Sequence, residues 1–317
     1  MAGWSAGPPV EICSAGRKSM AGNRGSTREL LEAVSAGRLE ADVRALAVPR
    51  HAMAEPEANR AAAGWIERQL QSIGWQVTRQ GECGNLIALP AHFPAGPGLL
   101  AADHYDSAPR SPGAADIASA LAPLLACARL LAVRDRPVSA VLVVFNREED
   151  CQLGSDDFVK DFLPHSELQV AEAHVLEMVG YCRREAGSQR RPPGLPVRVP
   201  DRGDFLGLVG NRRSAGLVDA IMEMAPFHAP GLSIAGLKVY LGLERYLPHL
   251  RRSDHAPFWE ARIPAVMWTD TADFRNPHYH QPSDTPETLD YAFLSQVTRL
   301  LLGRILDRSA AAPGGRG

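Results

Sequence analysis

Short apolar runs alternate along the chain with longer segments in which apolar residues recur every three or four positions. The short runs, rich in β-branched and aliphatic residues, predict buried strands, and the longer periodic segments predict helices. The predicted strands cover residues 75–78, 85–89, 99–102, 138–145, 174–179, 205–209, 238–241 and 265–269. The predicted helices cover residues 28–46 with a break near Gly37, 58–73, 116–132, 214–224 and 289–306. Strands separated by helices of this length indicate an α/β fold with a mixed, mostly parallel sheet of about eight strands.

The periodic pattern stops before both ends of the chain. Residues 1–26 are rich in Gly, Ala and Ser, and the chain ends in "AAAPGGRG". We therefore predict flexible tails over residues 1–26 and 309–317, with a single domain over residues 27–308. Inside that domain, residues 183–204 are rich in Pro and Arg, which predicts a long loop beside the functional site.

Composition narrows the class of protein. The chain has 317 residues, a formal net charge of -2, 45% hydrophobic residues and 22% charged residues, as expected of a globular protein. A near-neutral chain lacks the electrostatic footprint of a nucleic-acid-binding protein. No apolar run approaches about 18 residues, so we predict no membrane span. The N-terminus lacks the apolar stretch of a secretory signal, so the expected compartment is the cytoplasm.

The motifs that are absent argue against several classes of enzyme and of cysteine site. The five cysteines are odd in number and contain no CxxC pair, which argues against a disulfide framework or a cysteine zinc site. The sequence also has no GxSxG elbow, P-loop, GxGxxG or HExxH motif. The usual signatures of serine hydrolases and nucleotide-binding enzymes are therefore missing.

Acidic and histidine residues occur where predicted strands end, which is where α/β sheets form their sites. His104 and Asp106 follow one strand in "LLAADHYDS", and residues two apart in an extended segment point the same way. Asp106 is therefore placed to fix the tautomer of a metal-binding His104. Asp116 begins the next helix, where the alternative role is an N-cap. The alternative for His104 is a surface histidine in a turn.

Two further strands end in glutamate. "NREED" sets Glu148 beside Glu149 after a buried strand, and both serve one site only if the chain turns there. The alternative is favourable acid at the start of a helix from about residue 153. Glu177 lies in the apolar run "AHVLEMVGY", where a buried glutamate needs a partner or a metal. Its alternative is an edge strand with Glu177 facing water.

The last of the five places is "RNPHYHQPSDT", which offers His278 and His280 in a loop. Taken together, the histidines and carboxylates of these places suit divalent cations, because imidazole and carboxylate are zinc ligands and one carboxylate can bridge two ions about 3.5–4 Å apart.

The quoted blocks, with "SPGAADIAS", "NREEDCQLGS", "VLEMVGY" and "SDHAPF", resemble the family of co-catalytic zinc aminopeptidases. That family includes bacterial leucyl aminopeptidases, glutamate carboxypeptidase II, the transferrin receptor and the glutaminyl cyclases. The resemblance covers roughly residues 40–306. It implies a three-layer sandwich in which helices flank the sheet.

The resemblance also implies two zinc ions, with Co²⁺ or Mn²⁺ as substitutes, and a role for each residue. His104, Asp116 and Glu177 would hold one ion, and Asp116, Glu149 and His280 would hold the other. Glu148 would be the general base.

The family pattern also assigns residues around the metals. Asp106 would support His104, and Asp254 and His255 would line the wall of the site. The implied reaction is hydrolysis of the N-terminal peptide bond of a peptide with a free N-terminus. The implied protein is a monomer or a small homo-oligomer without nucleic-acid or membrane partners.

The chain departs from its relatives around Asp116. Relatives usually read Gly-Ala-Asp-Asp-Asn where this chain has Gly-Ala-Ala-Asp-Ile, and Ala120 replaces a usual glycine. Ala115 and Ile117 therefore remove an acid and an amide beside the bridging ligand, and lost support of this kind commonly costs roughly 10–100-fold in metal affinity or activity. Two alternatives stay open: a glutaminyl cyclase-like acyltransferase with one zinc, and a binding module with weakened or no catalysis on the same scaffold.

Overall fold

The computed structural model describes residues 26–134, 136–195 and 197–311. The strands in this part of the chain are β1 (Gln76–Gln80), β2 (Asn85–Leu89), β3 (Gly98–His104), β4 (Ala140–Phe145), β5 (Val170–Glu177), β6 (Phe205–Asn211), β7 (Ser233–Val239) and β8 (Ala265–Thr269). The α-helices are α1 (Thr27–Glu32), α2 (Ala36–Leu46), α3 (Pro56–Ser72), α4 (Ser119–Ala132), α5 (Leu153–Asp157), α6 (Ala215–His228), α7 (His255–Glu260) and α8 (Tyr291–Ala311).

The eight strands form one mixed sheet in the order β1-β2-β4-β3-β5-β8-β6-β7. The central strands β4, β3, β5 and β8 are parallel neighbours, and β6 pairs with β7 in parallel. The pairs β1–β2, β2–β4 and β6–β8 are antiparallel. The predicted α/β fold with an eight-stranded, mostly parallel sheet is therefore confirmed.

Alternate side chains along each strand face opposite sides of the sheet, and each side packs against its own layer of helices. In β4, Leu142 and Val144 join the larger apolar core, while Val141, Val143 and Phe145 face the second core. Helices α2, α3, α4 and α8 contribute buried residues to the larger core, and α7 contributes to the second. Because both faces are covered, β4 is apolar at every position, as buried parallel strands usually are.

Several boundaries of helices and strands differ from those predicted from the sequence. The break predicted near Gly37 lies instead between α1 and α2, and Gly37 is inside α2. The strand predicted at 238–241 is β7, which ends at Val239, and Leu241 is 90% exposed. The predicted N-terminal tail lies outside the described residues except for Ser26, which caps α1. The predicted C-terminal tail also lies outside them, except that residues 309–311 continue α8.

One described stretch bears on the expectation about membrane spans. Residues Ala114–Ala132 are long and apolar enough to cross a membrane, but 89% of their most apolar window is buried inside this fold. The stretch contains the core helix α4, whose apolar character is explained by its packing against α2 and α8.

A buried ion pair joins helix α8 to the sheet. Arg304 on α8 donates to both carboxylate oxygens of Glu172 on β5, at 3.0 and 2.7 Å. Glu172 also lies 3.3 Å from His174, whose other ring nitrogen accepts from Trp268. Burial alone would raise the pKa of Glu172, but His174 and Arg304 lower it to about 2. The carboxylate is therefore held ionised between two elements.

We expect Arg304→Ala to lower the free energy of unfolding by about 3 kcal/mol, because it leaves a buried carboxylate without its partner. Arg28→Ala, which breaks an exposed pair with Glu32, is the control and should leave the free energy of unfolding almost unchanged. Urea titration measures both. Since the folded pKa of Glu172 is depressed, the Arg304 effect should be full above about pH 4.3 and shrink as the pH falls toward 2. Equal costs for the two variants would contradict this assignment.

Candidate metal centre

The candidate residues meet at the carboxyl ends of the parallel strands. His104 ends β3, Glu177 ends β5, and the turn with Glu148 and Glu149 follows β4. His280 lies in the loop after β8, and Asp116 lies in the turn just before α4. Parallel pairing of β4, β3, β5 and β8 brings these ends to one edge of the sheet.

Three of these side chains form a first group. The Nε2 atom of His104 lies 3.7 Å from Oδ1 of Asp116 and 4.0 Å from Oε2 of Glu177. All three residues are buried, and one ligand atom from each lies within 4.8 Å of the others. This geometry matches the arrangement expected of residues that share one cation.

A second group uses the other oxygen of Asp116. The Nε2 atom of His280 lies 3.0 Å from Oδ2 of Asp116 and 3.3 Å from Oε2 of Glu149. Asp116 therefore presents one carboxylate oxygen to each group. His278, the other histidine of the loop, points instead to the Ser283 hydroxyl at 2.9 Å and belongs to neither group.

The donor atoms fit divalent cations. Buried Nε2 of His104, Oε1 of Glu149 and Oε2 of Glu177 have no hydrogen-bond partner among the described residues. Atoms bound to a tetrahedral Zn²⁺ at about 2.0–2.2 Å lie roughly 3.3–3.6 Å apart, inside the observed range of separations. A cation in each group would supply the partners that these atoms lack.

The charges of the clustered carboxyl groups also call for bound cations. Burial and the nearby charge of Asp116 raise the pKa of Glu149 to about 9 and that of Glu177 to about 8. Burial raises the pKa of Glu148 well above its usual range, against the opposing charge of His104. So many buried carboxyl groups stay ionised together only if positive charge is supplied.

Asp106 connects two parts of the site. Its Oδ1 lies 3.3 Å from Nδ1 of His104 and accepts from the backbone N–H of Glu148 at 3.2 Å. Its Oδ2 accepts from the backbone N–H of Glu149 at 3.2 Å. Asp106 contacts His104 as the sequence predicted. It also anchors the turn that carries both glutamates, which the sequence did not indicate.

The structure excludes the alternative roles of several residues. His104 is 1% exposed, so it is not a surface histidine. Asp116 makes no cap hydrogen bond, and α4 begins after Ala118. Strand β5 lies between β3 and β8, so Glu177 does not face water from an edge strand. Glu148 and Glu149 precede α5 by several residues and do not cap it.

Asp254, expected with His255 to line the wall of the site, interacts electrostatically with Glu148 and Glu177. Asp254 and His255 are both fully buried. Nε2 of His255 lies 2.8 Å from the carbonyl oxygen of Leu250, and burial lowers its pKa to about 4. Burial raises the pKa of Asp254 to about 6, and its charge raises the pKa of Glu148.

Support for Asp116 comes from residues that the sequence analysis missed. The carboxylate of Asp284 accepts from the backbone N–H groups of Ala115 at 2.8 Å and Asp116 at 3.1 Å. Gly113 has φ of 64°, and a Cβ there would lie 2.5 Å from the carbonyl oxygen of Asp116. The backbone around Asp116 is therefore fixed by distant residues, even though the adjacent acid and amide are absent.

Arg50 lies beneath the same turn. It is completely buried and donates to five backbone carbonyl oxygens, including those of Tyr105, Pro112 and Gly113. Its charge interacts with Asp106, Asp116 and Asp284. Arg50 stands alone in "PRH", and this sequence context gives no signal for such a role. Asp284 does carry a signal, because it lies only four residues after His280.

We expect Asp284→Ala to weaken metal binding by roughly 10–100-fold, because the Asp116 turn loses two backbone hydrogen bonds. Competition with a chromophoric chelator measures the affinity, and circular dichroism checks the fold. Glu287→Ala, an exposed position three residues further on, is the control and should bind metal normally. Unchanged metal affinity in a folded Asp284→Ala protein would show that Asp284 does not support the Asp116 turn.

Comparison with known proteins identifies relatives of this chain. The model of "Peptidase family M28" matches residues 91–197 and 243–304, a range that includes both groups and Glu148. An uncharacterized Escherichia coli protein, YfbL, is 36% identical over 267 residues, covering 78% of this chain and 80% of YfbL. The aminopeptidase YwaD of Bacillus subtilis is 29% identical over 208 residues, 64% of this chain but only 39% of YwaD.

Solved structures share the fold. The Legionella pneumophila LapA aminopeptidase aligns with a TM-score of 0.70 and 15% identity, covering 93% of this chain and 79% of LapA. The Porphyromonas gingivalis glutaminyl cyclase aligns with a TM-score of 0.61 and 21% identity, covering 86% of this chain and 98% of the cyclase. The family match and the identity to YfbL lead to one conclusion: this chain belongs to peptidase family M28.

Proposed function

We propose that this chain is a zinc-dependent aminopeptidase that hydrolyses the N-terminal peptide bond of peptides, using two ions and Glu148 as general base. Membership in peptidase family M28 supports a metal-dependent, aminopeptidase-like role, and the relative YwaD is an aminopeptidase. The observation that carries the finer proposal is the position of Asp116, which directs one oxygen to each of two ligand groups. A single-ion site has no need of this shared carboxylate.

Each group of side chains would hold one ion. His104 and Glu177 complete the first set around Asp116, and Glu149 and His280 complete the second. Asp106 fixes the tautomer of His104, since Nδ1 faces the carboxylate and Nε2 is left free to bind metal. When bound, zinc would lower the pKa of a water molecule and polarise the scissile carbonyl group.

Glu148 would move the proton. Its carboxylate lies 3.9 Å from Nε2 of His104, beside the first group but outside both ligand sets. From there it would take a proton from the attacking water and deliver it to the nitrogen of the leaving amine. Asp106 holds the backbone of Glu148, so this carboxylate is positioned by the same residue that orients His104.

The negative charge of the site favours peptides with a free N-terminus. The free amine of a peptide is a cation at neutral pH, and Asp254 adds a further buried carboxyl group close to Glu148 and Glu177. A peptide N-terminus would bring positive charge to this region, whereas a blocked N-terminus would not.

Glutaminyl cyclase-like acyl transfer is the second candidate, because the cyclase of Porphyromonas gingivalis has this fold. The complete second set of ligands favours the two-ion peptidase over a one-zinc acyltransferase. Retention of Glu148 and all five ligands likewise argues against a binding module without catalysis.

We expect Glu148→Gln to lower kcat/KM for aminoacyl nitroanilides by at least about 10²-fold, because the amide cannot accept the proton. Metal content, measured by plasma mass spectrometry, should stay at about two zinc ions per chain, because Glu148 lies outside both ligand sets. Glu185→Gln, at an exposed loop position, is the control. A fully active Glu148→Gln enzyme would end the proposed mechanism.

A peptide with N-terminal glutamine separates the two candidate activities. The aminopeptidase should release free glutamine and leave an acetylated peptide intact, with mass spectrometry identifying the products. Formation of pyroglutamate without peptide cleavage, with one zinc per chain, would instead establish the cyclase. A protein that binds no zinc after careful loading would be neither.

A further inference from the structure

Strand β7 forms one edge of the sheet. Within the part of the chain that the structure describes, it pairs with β6 along its whole length without a bulge, and no strand lies on its outer side. A regular edge of this kind offers a row of backbone donors and acceptors to another strand, so proteins usually protect such edges with proline, charges or bulges. The opposite edge strand, β1, is polar and carries exposed Arg79, which pairs with Glu67 on α3.

Strand β7 lacks these protections. It contains no proline, and its single charged residue, Lys238, donates to Oδ1 of Asp219 on α6 at 2.7 Å. That contact neutralises the charge and holds it on the helix side of the sheet. Gly236, in the middle of the strand, is exposed and has no side chain to keep another backbone away. The outer edge therefore allows the close approach of a second strand.

Apolar surface lies at both ends of β7. Beyond its last residue, Tyr240, Leu241 and Tyr246 are 45%, 90% and 80% exposed. At its start is a cleft of about 270 Å³ lined by apolar side chains, which include Leu232 and Ile234. The strand thus has protruding apolar side chains at one end and an apolar recess at the other.

We propose that β7 pairs antiparallel with β7 of a second copy of this chain, so that one sheet continues across a homodimer. In a pair centred on Gly236, Tyr240 of one copy lies opposite Leu232 of the other, and Leu241 lies opposite Gly231. The protruding side chains of each copy then meet the apolar cleft of its partner, twice about a two-fold axis. An interface in which the same patch serves both copies is the commonest form of homodimer.

The exposed apolar area is of the size that a stable dimer needs. Phe227, on α6 beside the cleft, is 81% exposed. Together with Tyr240 and Tyr246 it offers roughly 300–500 Å² per copy, taking about 150–250 Å² for each fully covered aromatic side chain. Leu241, Leu243 and the backbone of β7 add further area, and specific dimers bury about 800 Å² per partner.

Pairing through the edge leaves the face of the strand free. Ala235 and Leu237 line an apolar cavity of about 230 Å³ that opens beside Glu177 and takes part of its wall from Leu195 in the Pro- and Arg-rich loop. Side chains stand out of the plane of a sheet, whereas the groups that pair strands lie in that plane. The dimer therefore forms without filling this cavity, and it does not depend on the proposed peptidase activity.

The experiment measures the mass and the dissociation constant of the full-length protein over a range of concentrations, by light scattering after size-exclusion chromatography and by sedimentation velocity. Leu241→Lys places a charge at the proposed contact, and Phe227→Lys does so from the cleft side if Leu241→Lys does not fold. Val133→Lys, at an apolar position on the end of α4 that is 62% exposed, is the matched control. Circular dichroism checks the fold of each variant.

We expect the unsubstituted protein and the control to form dimers with the same dissociation constant. Leu241→Lys and Phe227→Lys should each raise that constant by roughly 30-fold or more, as the loss of a central interface side chain does. Adding Pro230→Glu to Leu241→Lys should restore the dimer, because antiparallel pairing brings the new carboxylate of one copy to the new ammonium group of the other.

A protein that is monomeric at every concentration, or a dimer that neither lysine variant weakens, would overturn the proposal. A double variant that remains monomeric would overturn the antiparallel arrangement. Hydrogen exchange tests the pairing of the strands themselves: the backbone amides of β7 should exchange more slowly in the dimer than in the monomeric Leu241→Lys protein. Equal exchange in the two would show that the β7 strands do not pair.

Discussion

The concentration of carboxyl groups at one buried edge of the sheet is the constraint on which this structure depends. Asp116, Glu149 and Glu177 point to the same small volume, with Glu148 beside them. Burial raises the pKa of each of the three glutamates, so the cluster is stable in its ionised form only with positive charge nearby. The two histidines and the proposed cations satisfy that requirement, and the rest of the fold keeps the groups from moving apart.

The supporting interactions connect several loops. Asp106 joins His104 to the turn with Glu148 and Glu149, and Asp284 joins the loop of His280 to the turn of Asp116. Each supporting carboxylate therefore couples a histidine-bearing segment to a segment that carries a carboxylate ligand. Arg50 adds a buried positive charge under the same region. Such coupling explains how the Asp116 turn keeps its position with Ala115 and Ile117 as its neighbours.

The ligand groups and the apolar cavity lie over different parts of the sheet. The ligand groups occupy the ends of β3, β4 and β5, while the apolar cavity lies over β6, β7 and β8 and meets the first group at Glu177. The part of the chain between residues 197 and 243, which lies outside the family match, contains β6, α6 and β7. Cavity-lining residues such as Gly207 and Ala235 therefore lie outside the matched ranges.

Much of the fold follows from local sequence. Residues 140–145 are apolar at every position because their strand is buried on both faces, and helices with a clear period were predicted within a few residues of their observed ends. Edge strand β7 was placed too late, because its alternating exposed residues give a weaker apolar signal than Tyr240 and Leu241, which lie beyond it.

The sequence by itself determined which residue types stand at the strand ends, and the resemblance of these blocks to the zinc aminopeptidases allowed the ligand candidates and Glu148 to be named. Only the tertiary structure decided that Glu177 is on a central strand and that Asp116 directs its two oxygens to different groups. It also decided the supporting roles of Arg50 and Asp284, which lie 66 residues before and 168 residues after Asp116 in the chain. Contacts over such distances leave no local pattern, because they depend on strand order and loop packing.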